Sequence, residues 1–297
     1  MRRERKTPVV TVASLLLWSV LGAAAAPAAK QPIQSARRAV DDATVAIFAF
    51  RDQRGRPMAW PVTPYRDGDT IAITSTLAYI QKAVHVRRDG RVALLASGVL
   101  ITGDATVHAD ISGDEFVTRF LDQELRKYPP ARDLVRIPLH RWLFSWYFGR
   151  VFMEFTPRNW HDVPGNNHAT LITLDADGFP SITPIAAPDP QPEVIEVHAL
   201  ATAALVGAAD GPSTVLLHDE PTPTDLRQLI LRGDLHHGVF TVRSREGSLM
   251  APPEIGWLGA LEQQIDYHQR ARRTRALIRG WETKNRGVAT SEGQPHR

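Results

Sequence analysis

One pattern of residues occurs twice in this chain of 297 residues. The first copy, Ala43–Val62, reads ATVAIFAFRDQRGRPMAWPV, and the second, His168–Ile185, reads HATLITLDADGFPSITPI. Each copy has a strand-like run after Ala-Thr, an acidic turn that ends in Gly-x-Pro, and a second extended run that ends in proline and an aliphatic residue. The later segments EVIEVHAL and DGPSTVLL likewise parallel TIAITST and DGRVALL. The chain is therefore predicted to contain two related β-rich units.

The remaining pattern predicts a mainly β fold with helices. Strands are expected in TIAITST, RVALLASG and VLITGDATVHAD, a short helix in YIQKAVHVRRD, and one longer helix between Gly113 and Pro130. The turn-forming DVPGNN at 162–167 marks an internal boundary. The expected organisation is an N-terminal segment (1–34), a first repeat (35–165), a second repeat (166–250), and a C-terminal helix with a basic polar tail (251–297).

Residues 140–160 form the aromatic run HRWLFSWYFGRVFMEFTPRNW. Such a density of aromatic side chains raises the alternative of a membrane-surface patch. The alternation in VFMEFTP is typical of a half-buried strand and favours buried strand and helix surface instead.

Composition excludes several classes of function. The chain has no cysteine, which removes disulfides, thiolate nucleophiles and most structural zinc sites. The net charge is only +3, and the basic run ARRTRALIRGW is interpreted as a solvated helix face, so nucleic acid is not an expected partner. No metal site is predicted, because His236-His237 lacks further ligands at suitable spacing and Asp175 and Asp177 fit a hairpin turn better than a calcium loop.

The first 29 residues resemble an export signal or a membrane anchor. A charged MRRERK precedes an uncharged, mostly apolar stretch from Pro8 to Gly22, and small residues follow. The alternatives are a packed N-terminal helix or an upstream extension. The protein is exported or anchored if this segment is a signal and cytoplasmic otherwise, and membrane association is expected only through this segment.

Several short motifs together resemble the FMN-binding split-barrel family, which contains pyridoxamine 5′-phosphate oxidase and related flavin and deazaflavin oxidoreductases. They are GRP (55–57), WPV (60–62), TST (74–76), Lys82, RRDGRVALL (87–95), GDATV (103–107) and TPRNW (156–160). The resemblance covers roughly residues 36–165, with a weaker second copy from 168 to about 245. It implies a split barrel followed by a degenerate second split-barrel-like repeat and a C-terminal helix.

The resemblance also implies a cofactor site. Trp60, Pro61 and Val62 would lie along the isoalloxazine ring of FMN, with Thr74, Ser75 and Thr76 near its phosphate. Lysine and arginine form charge-assisted hydrogen bonds with phosphate, so Lys82 and Arg87, or Arg88, are the candidate cations. The alternatives are a solvated Lys82, a strand end that satisfies its own backbone at Thr74–Thr76, and a core role for Trp60. The alternative cofactor is the 8-hydroxy-5-deazaflavin coenzyme.

The expected function is hydride transfer between this cofactor and a small organic substrate, with no catalytic side chain assigned. A non-enzymatic flavin- or haem-binding module and an envelope-associated structural protein are the alternatives. The two repeats predict a monomeric pseudo-dimer with one complete site, because His198–Ala209 contains no lysine or arginine. His198 or Arg243 of the second repeat would then contribute to the rim of that site. The competing expectation is an unrelated second domain and a homodimer formed through the first repeats.

Overall fold

The computed structural model describes residues 33–135, 138–165, 168–198, 210–220, 225–252 and 256–291. The signal or anchor predicted in residues 1–29 lies outside them. Residues 199–209 also lie outside them, and most of the prediction that the chain has only one complete site depends on these residues.

The described helices and strands follow in chain order. The helices are α1 (Ile33–Asp42), α2 (Gln81–Arg88), α3 (Asp114–Arg119), α4 (Leu121–Lys127), α5 (Ala131–Val135), α6 (Pro138–Leu143), α7 (Ser145–Phe148) and α8 (Trp257–Ser291). The strands of the first repeat are β1 (Ala46–Arg51), β2 (Pro57–Val62), β3 (Pro64–Asp67), β4 (Thr70–Thr76), β5 (Arg91–Ala96), β6 (Val99–Asp104), β7 (Thr106–Asp110), β8 (Arg150–Phe155) and β9 (Asn159–Asp162). Those of the second repeat are β10 (Ala169–Leu174), β11 (Pro180–Pro184), β12 (Val194–Glu196), β13 (Gly211–Asp219), β14 (Arg227–His236) and β15 (Val239–Ser248).

The first repeat is a half-barrel made of two antiparallel sheets. One sheet has the strand order β2-β1-β5-β6-β9 and the other β3-β4-β8-β7. The chain passes between the sheets at Thr63, which separates β2 from β3, and at Ala105, which separates β6 from β7. Proline cannot donate to a strand ladder, and β2 and β3, which contain Pro61 and Pro64, both lie at sheet edges.

Strand β1 is buried on both faces, which explains its unbroken apolar sequence. Phe48 and Phe50 point into the core of the half-barrel. Ile47 and Ala49 point to the other side, where they belong to a second core.

The second repeat reproduces the central part of the first. Its sheet has the order β11-β10-β13-β14-β15-β12, and the first four strands match β2-β1-β5-β6. The two hairpin turns also share one geometry. Asp52 Oδ1 accepts hydrogen bonds from the amides of Arg54 and Arg56 at 2.7 and 2.9 Å, and Asp175 Oδ1 accepts from those of Asp177 and Phe179 at 3.0 and 2.8 Å. The predicted turn at Asp175 thus agrees with the structure.

The two repeats pack through the outer faces of their sheets. Ile47, Leu95 and Leu100 of the first repeat form one buried cluster with Ile172 and Leu216 of the second. A buried hydrogen bond of 2.7 Å from Thr214 Oγ1 to the carbonyl oxygen of Pro57 joins the same two faces. The described residues from Ile33 onward accordingly form one compact unit.

The fold class, mainly β with helices and a C-terminal helix, is confirmed. Two elements differ from expectation. The single helix expected between Gly113 and Pro130 is divided at Phe120, whose φ of −126° departs from helical geometry while its ring packs on Phe152. The strand expected in VLITGDATVHAD is divided at Ala105, because the chain changes sheets there.

The aromatic run at 140–160 is partly buried and partly exposed. Phe152 and Phe155 are buried in β8 as predicted, whereas Trp142 in α6 is 76% exposed. No described helix combines the length and the apolar character needed to cross a membrane.

Candidate functional site

A cleft of about 360 Å³ lies in the first repeat, beside the corner where the chain passes from β2 to β3. The β2–β3 corner, the end of β4, α2, α4, α7 and β8 all contribute side chains to its lining. Two further lining residues, Glu220 and Leu226, come from the second repeat. Within the described residues, the cleft is therefore assembled from both repeats of one chain.

Six of the eight residues singled out in the sequence line this cleft. They are Pro61, Val62, Thr74, Ser75, Thr76 and Lys82. They meet because β4 ends beside the β2–β3 corner and α2 begins five residues after β4. Pro61 and Val62 give the cleft an apolar wall, and the hydroxyl groups and Lys82 give it a polar one.

Trp60 and Arg87 are not among the lining residues of the cleft. Neighbouring residues of a strand point to opposite faces, and Trp60 stacks on Phe50 with ring centroids 5.3 Å apart. Arg87 follows Lys82 by five residues, a rotation of roughly 140° around a helix. Its guanidinium lies 4.8 Å from the ring centroid of Trp281 on α8.

Arg150 is the main residue of the cleft that the sequence analysis missed. It opens β8 directly opposite Thr76 in the strand register, and it is only 5% exposed. Its guanidinium lies 4.1 Å from the ring centroid of Phe116 and 4.4 Å from that of Tyr147. An arginine at the start of a mainly apolar strand was the available signal, because such a buried cation needs a partner.

Glu124 holds Arg150 and two tyrosines together in the cleft. The Tyr65 hydroxyl donates to Glu124 Oε2 at 2.6 Å and the Tyr147 hydroxyl donates to Oε1 at 2.5 Å. Arg150 Nη2 lies 3.8 Å from Oε1, a separation for an ion pair rather than a hydrogen bond. Burial and the Glu124 carboxylate raise the pKa of Tyr65 well above its usual value, so this hydroxyl keeps its proton.

Several polar atoms around the cleft have no hydrogen-bond partner among the described residues. These are Ser75 Oγ, Thr76 Oγ1 and the Nε and Nη2 atoms of Arg150. Buried polar atoms are normally paired, so these groups can accept a hydrogen-bond partner from water or from a ligand.

Lys82 adds a second cation to this group. Burial and the positive charge of Arg150 lower the pKa of Lys82 to about 8. An anion in the cleft would offset both effects, because it would interact favourably with the two cations.

These groups fit a phosphate-bearing cofactor such as FMN. Lysine and arginine bind phosphate oxygens by charge-assisted hydrogen bonds, and the hydroxyls of Ser75 and Thr76 can donate to the same oxygens. The cleft volume of about 360 Å³ falls within the range of roughly 300–1,000 Å³ that is usual for ligand sites. The donor set and the apolar wall at Pro61 and Val62 are thus compatible with a phosphate at one end and a planar ring at the other.

Glu220 is a second carboxyl group of the cleft, and it directly follows β13 in the chain. Burial raises its pKa above the usual value for glutamate. Perturbed carboxyl groups in clefts are frequent at functional sites.

One cluster of metal-ligand type occurs elsewhere among the described residues, and it consists of His108, Glu115 and Glu154. His108 Nε2 lies 3.0 Å from Glu115 Oε1. The Arg119 guanidinium pairs with both carboxylates, at 2.8 Å from Glu154 Oε1 and in close contact with Glu115 Oε1. The position of a cation is therefore taken by an arginine of the chain itself.

His236 and His237 lie near a carboxylate that their spacing in the sequence did not reveal. Asp210 Oδ2 is 3.9 Å from Nδ1 of His236 and 3.8 Å from Nδ1 of His237. Both imidazoles are solvent-exposed, so this group has the character of a surface cluster.

No protein-family model matches the chain. No curated protein matches it. Among solved structures, a putative pyridoxamine 5′-phosphate oxidase from Listeria innocua is 18% identical, covers 46% of this chain and 100% of its own, and has a TM-score of 0.32. An F420 reductase is 15% identical over 42% of this chain and 94% of its own, with a TM-score of 0.31. A haem storage protein from Vibrio cholerae is 8% identical over 43% of this chain and 92% of its own, with a TM-score of 0.32.

These identities and TM-scores carry no information about activity, substrate or cofactor. The neighbours nevertheless include proteins of the pyridoxamine 5′-phosphate oxidase type, which is the family that the motifs of this sequence resemble.

Proposed function

We propose that the cleft binds FMN and that the protein is a flavin-dependent oxidoreductase acting on a small organic substrate. The observation that carries the proposal is the convergence of Lys82 and Arg150 with the unpartnered hydroxyls of Ser75 and Thr76 in one cleft. This donor set matches the oxygen atoms of a phosphate dianion.

Each wall of the cleft has a role in this proposal. Bound flavin would supply hydride transfer, which no side chain of the chain can perform. Pro61 and Val62 would orient the ring, and Leu226 of the second repeat would restrict the access of water. Glu220 would give or take a proton at its carboxyl group, because its raised pKa keeps it protonated to a higher pH than a free glutamate.

The 8-hydroxy-5-deazaflavin coenzyme is the alternative cofactor. It also carries a phosphate, so the same cationic end of the cleft would hold it. Its longer acidic tail would extend beyond the cleft, whereas FMN would be contained in it.

The second candidate function is a non-catalytic binding protein for flavin or another planar ligand. The observation that favours it is the mutual pairing of Glu124, Tyr65 and Tyr147, which occupies both oxygens of one of the two carboxylates in the cleft. A structural protein of the envelope is a third candidate, and it would carry no chromophore.

The deciding experiment begins with the absorbance spectrum and mass of any small molecule that copurifies with the full chain. FMN, the deazaflavin coenzyme and NAD(P)H are then added separately, and reduction and reoxidation of the bound cofactor are followed by absorbance. An oxidoreductase cycles the bound cofactor between both states, whereas a binding protein retains it without turnover. Absence of binding to either cofactor would contradict the proposal.

A further inference from the structure

A patch of exposed apolar side chains lies outside the cleft, on α6 and on the first turns of α8. Of the thirteen large apolar residues that are exposed in the described parts of the chain, seven belong to it. We call these seven the apolar patch: Leu139, Trp142, Leu143, Trp257, Leu258, Leu261 and Ile265. Both tryptophans are 76% exposed. Single exposed leucines are common on protein surfaces, whereas a set of large apolar side chains of this kind marks an interaction surface.

Helix α7 joins the two parts of the patch. The Trp146 indole Nε1 donates to Gln264 Oε1 at 3.0 Å, and the Trp146 ring lies 4.4 Å from that of Tyr267. Helix α7 follows α6 after a single residue, so α6 is connected directly to the helix that contacts α8.

The outward face of α8 is not needed to attach the helix to the protein. Ala271, Thr274 and Ile278 are buried and form the attached face. Leu258, Leu261 and Ile265 are spaced by three and four residues, which places them together on the opposite side. An apolar stripe on the solvent side of a helix has no partner within the part of the molecule that the structure describes.

The apolar face is continued by positive charge. Residues 270–279 contain five arginines, whereas residues 257–281 contain only two acidic side chains, Glu262 and Asp266. Arg272 and Arg273 are exposed. Burial and the neighbouring Arg279 lower the pKa of Arg275, as expected where like charges crowd together.

We propose that the apolar patch and the adjoining arginines bind the surface of a membrane that contains anionic lipids, with α8 lying in the plane of that surface. Tryptophan and leucine on one face together with arginine are the side chains that interfacial helices use, and anionic headgroups complement the arginines. This surface lies outside the N-terminal segment, and its residues Trp142 and Leu143 belong to the aromatic run for which a membrane-surface patch was the alternative interpretation.

The test measures binding of the full chain to vesicles of phosphatidylcholine with and without phosphatidylserine. The double variant Leu261→Glu/Ile265→Glu removes apolar contacts, and Val194→Glu/Met250→Glu is the matched control, since both residues are exposed and apolar, lie outside the patch and outside α8, and give the same change in charge. We expect the double variant to weaken binding to anionic vesicles by roughly tenfold or more, because burial of a leucine side chain contributes at least that factor. The control should bind like the parent chain, and near-ultraviolet circular dichroism should show that both variants are folded.

A second readout separates the patch from the apolar segment Pro8–Gly22. Lipids brominated in their acyl chains should quench the fluorescence of Trp142 and Trp257. Both Trp142→Phe/Trp257→Phe and Leu261→Glu/Ile265→Glu should therefore remove most of the quenching. Unchanged vesicle binding by the double glutamate variant would overturn the proposal. Equal binding of the parent chain to vesicles with and without phosphatidylserine would also overturn it. A parent chain that is a dimer in solution and a double variant that is a monomer would overturn it as well, because the patch would then bind a second copy of the chain.

Discussion

Burial and the positive charge of Arg150 lower the pKa of Lys82, so we expect a bound anion to favour its protonated form. Replacing Lys82 by alanine should weaken FMN binding by about 1.5–3 kcal/mol, the range for hydrogen bonds to charged groups. Arg87→Ala is the matched control, since Arg87 lies on the same helix against Trp281 and does not line the cleft. Quenching of flavin fluorescence measures both affinities. Equal affinities for the two variants and the parent would remove Lys82 from the site.

The pKa of Lys82 gives this binding a pH dependence. The amine is protonated below its pKa of about 8 and neutral above it. A phosphate prefers the protonated form, so affinity for FMN should fall as the pH rises through 8, by at most about tenfold per pH unit. Bound phosphate raises the pKa of Lys82, so the midpoint should move upward in the complex. The affinity for FMN, measured at intervals of about one pH unit between pH 6 and 10, checks this. In Lys82→Met the affinity should no longer fall as the pH rises through 8.

Only some of the residues that line the cleft could be predicted from the sequence. Thr74–Thr76 and Lys82 could be predicted because they lie within one local strand–helix connection. Trp60 is adjacent in sequence to the lining residue Pro61, and Arg87 follows the lining residue Lys82 by five positions, but the alternation of a strand and the rotation of a helix direct both side chains elsewhere. Arg150 could not be placed, because its proximity to Thr76 depends on the pairing of β4 with β8, 74 positions apart in sequence number (150 − 76).

At the scale of elements, the turn between β1 and β2 depends on a left-handed residue. Gly55 has a φ of +76°, and the equivalent Gly178 of the second repeat has a φ of +77°. Gly55→Ala should lower the free energy of unfolding by about 1–2 kcal/mol, because a Cβ is disfavoured in that conformation. The control is Gly280→Ala in α8, where a Cβ would meet nothing within 4 Å, and it should be neutral or stabilising by up to about 1 kcal/mol. Urea denaturation measures both, and destabilisation by both variants alike would contradict the role of the turn.

Local sequence patterns predicted most of these elements, and they failed where the chain passes from one sheet to another. Alternation and turn residues were sufficient for the two hairpins and for β4 and α2. The division at Ala105 was not visible, because β6 and β7 form one continuous extended stretch in sequence and separate only by joining different sheets. The exposure of α6 was also missed, since an aromatic side chain has the same sequence signature on a core and on a binding surface.

At the scale of the whole molecule, the described lining of the cleft comes from both repeats of one chain. Glu220 and Leu226 of the second repeat line it together with residues of the first repeat. We therefore expect one FMN per monomeric chain. Fluorescence titration combined with mass measurement in solution checks this, and either two equivalent sites per chain or a homodimer formed through the first repeats would exclude an internal pseudo-dimer.

Helix α8 has a consequence for how the protein acquires its structure during translation. Ala271 and Ile278 belong to the same core as Phe48 and Phe50 of the first strand. Strand β1 therefore leaves the ribosome long before the helix that completes its apolar contacts, although domains usually fold in order of synthesis. We expect nascent chains that end before Trp257 to remain sensitive to protease in the first repeat, and chains that extend past Trp281 to become resistant.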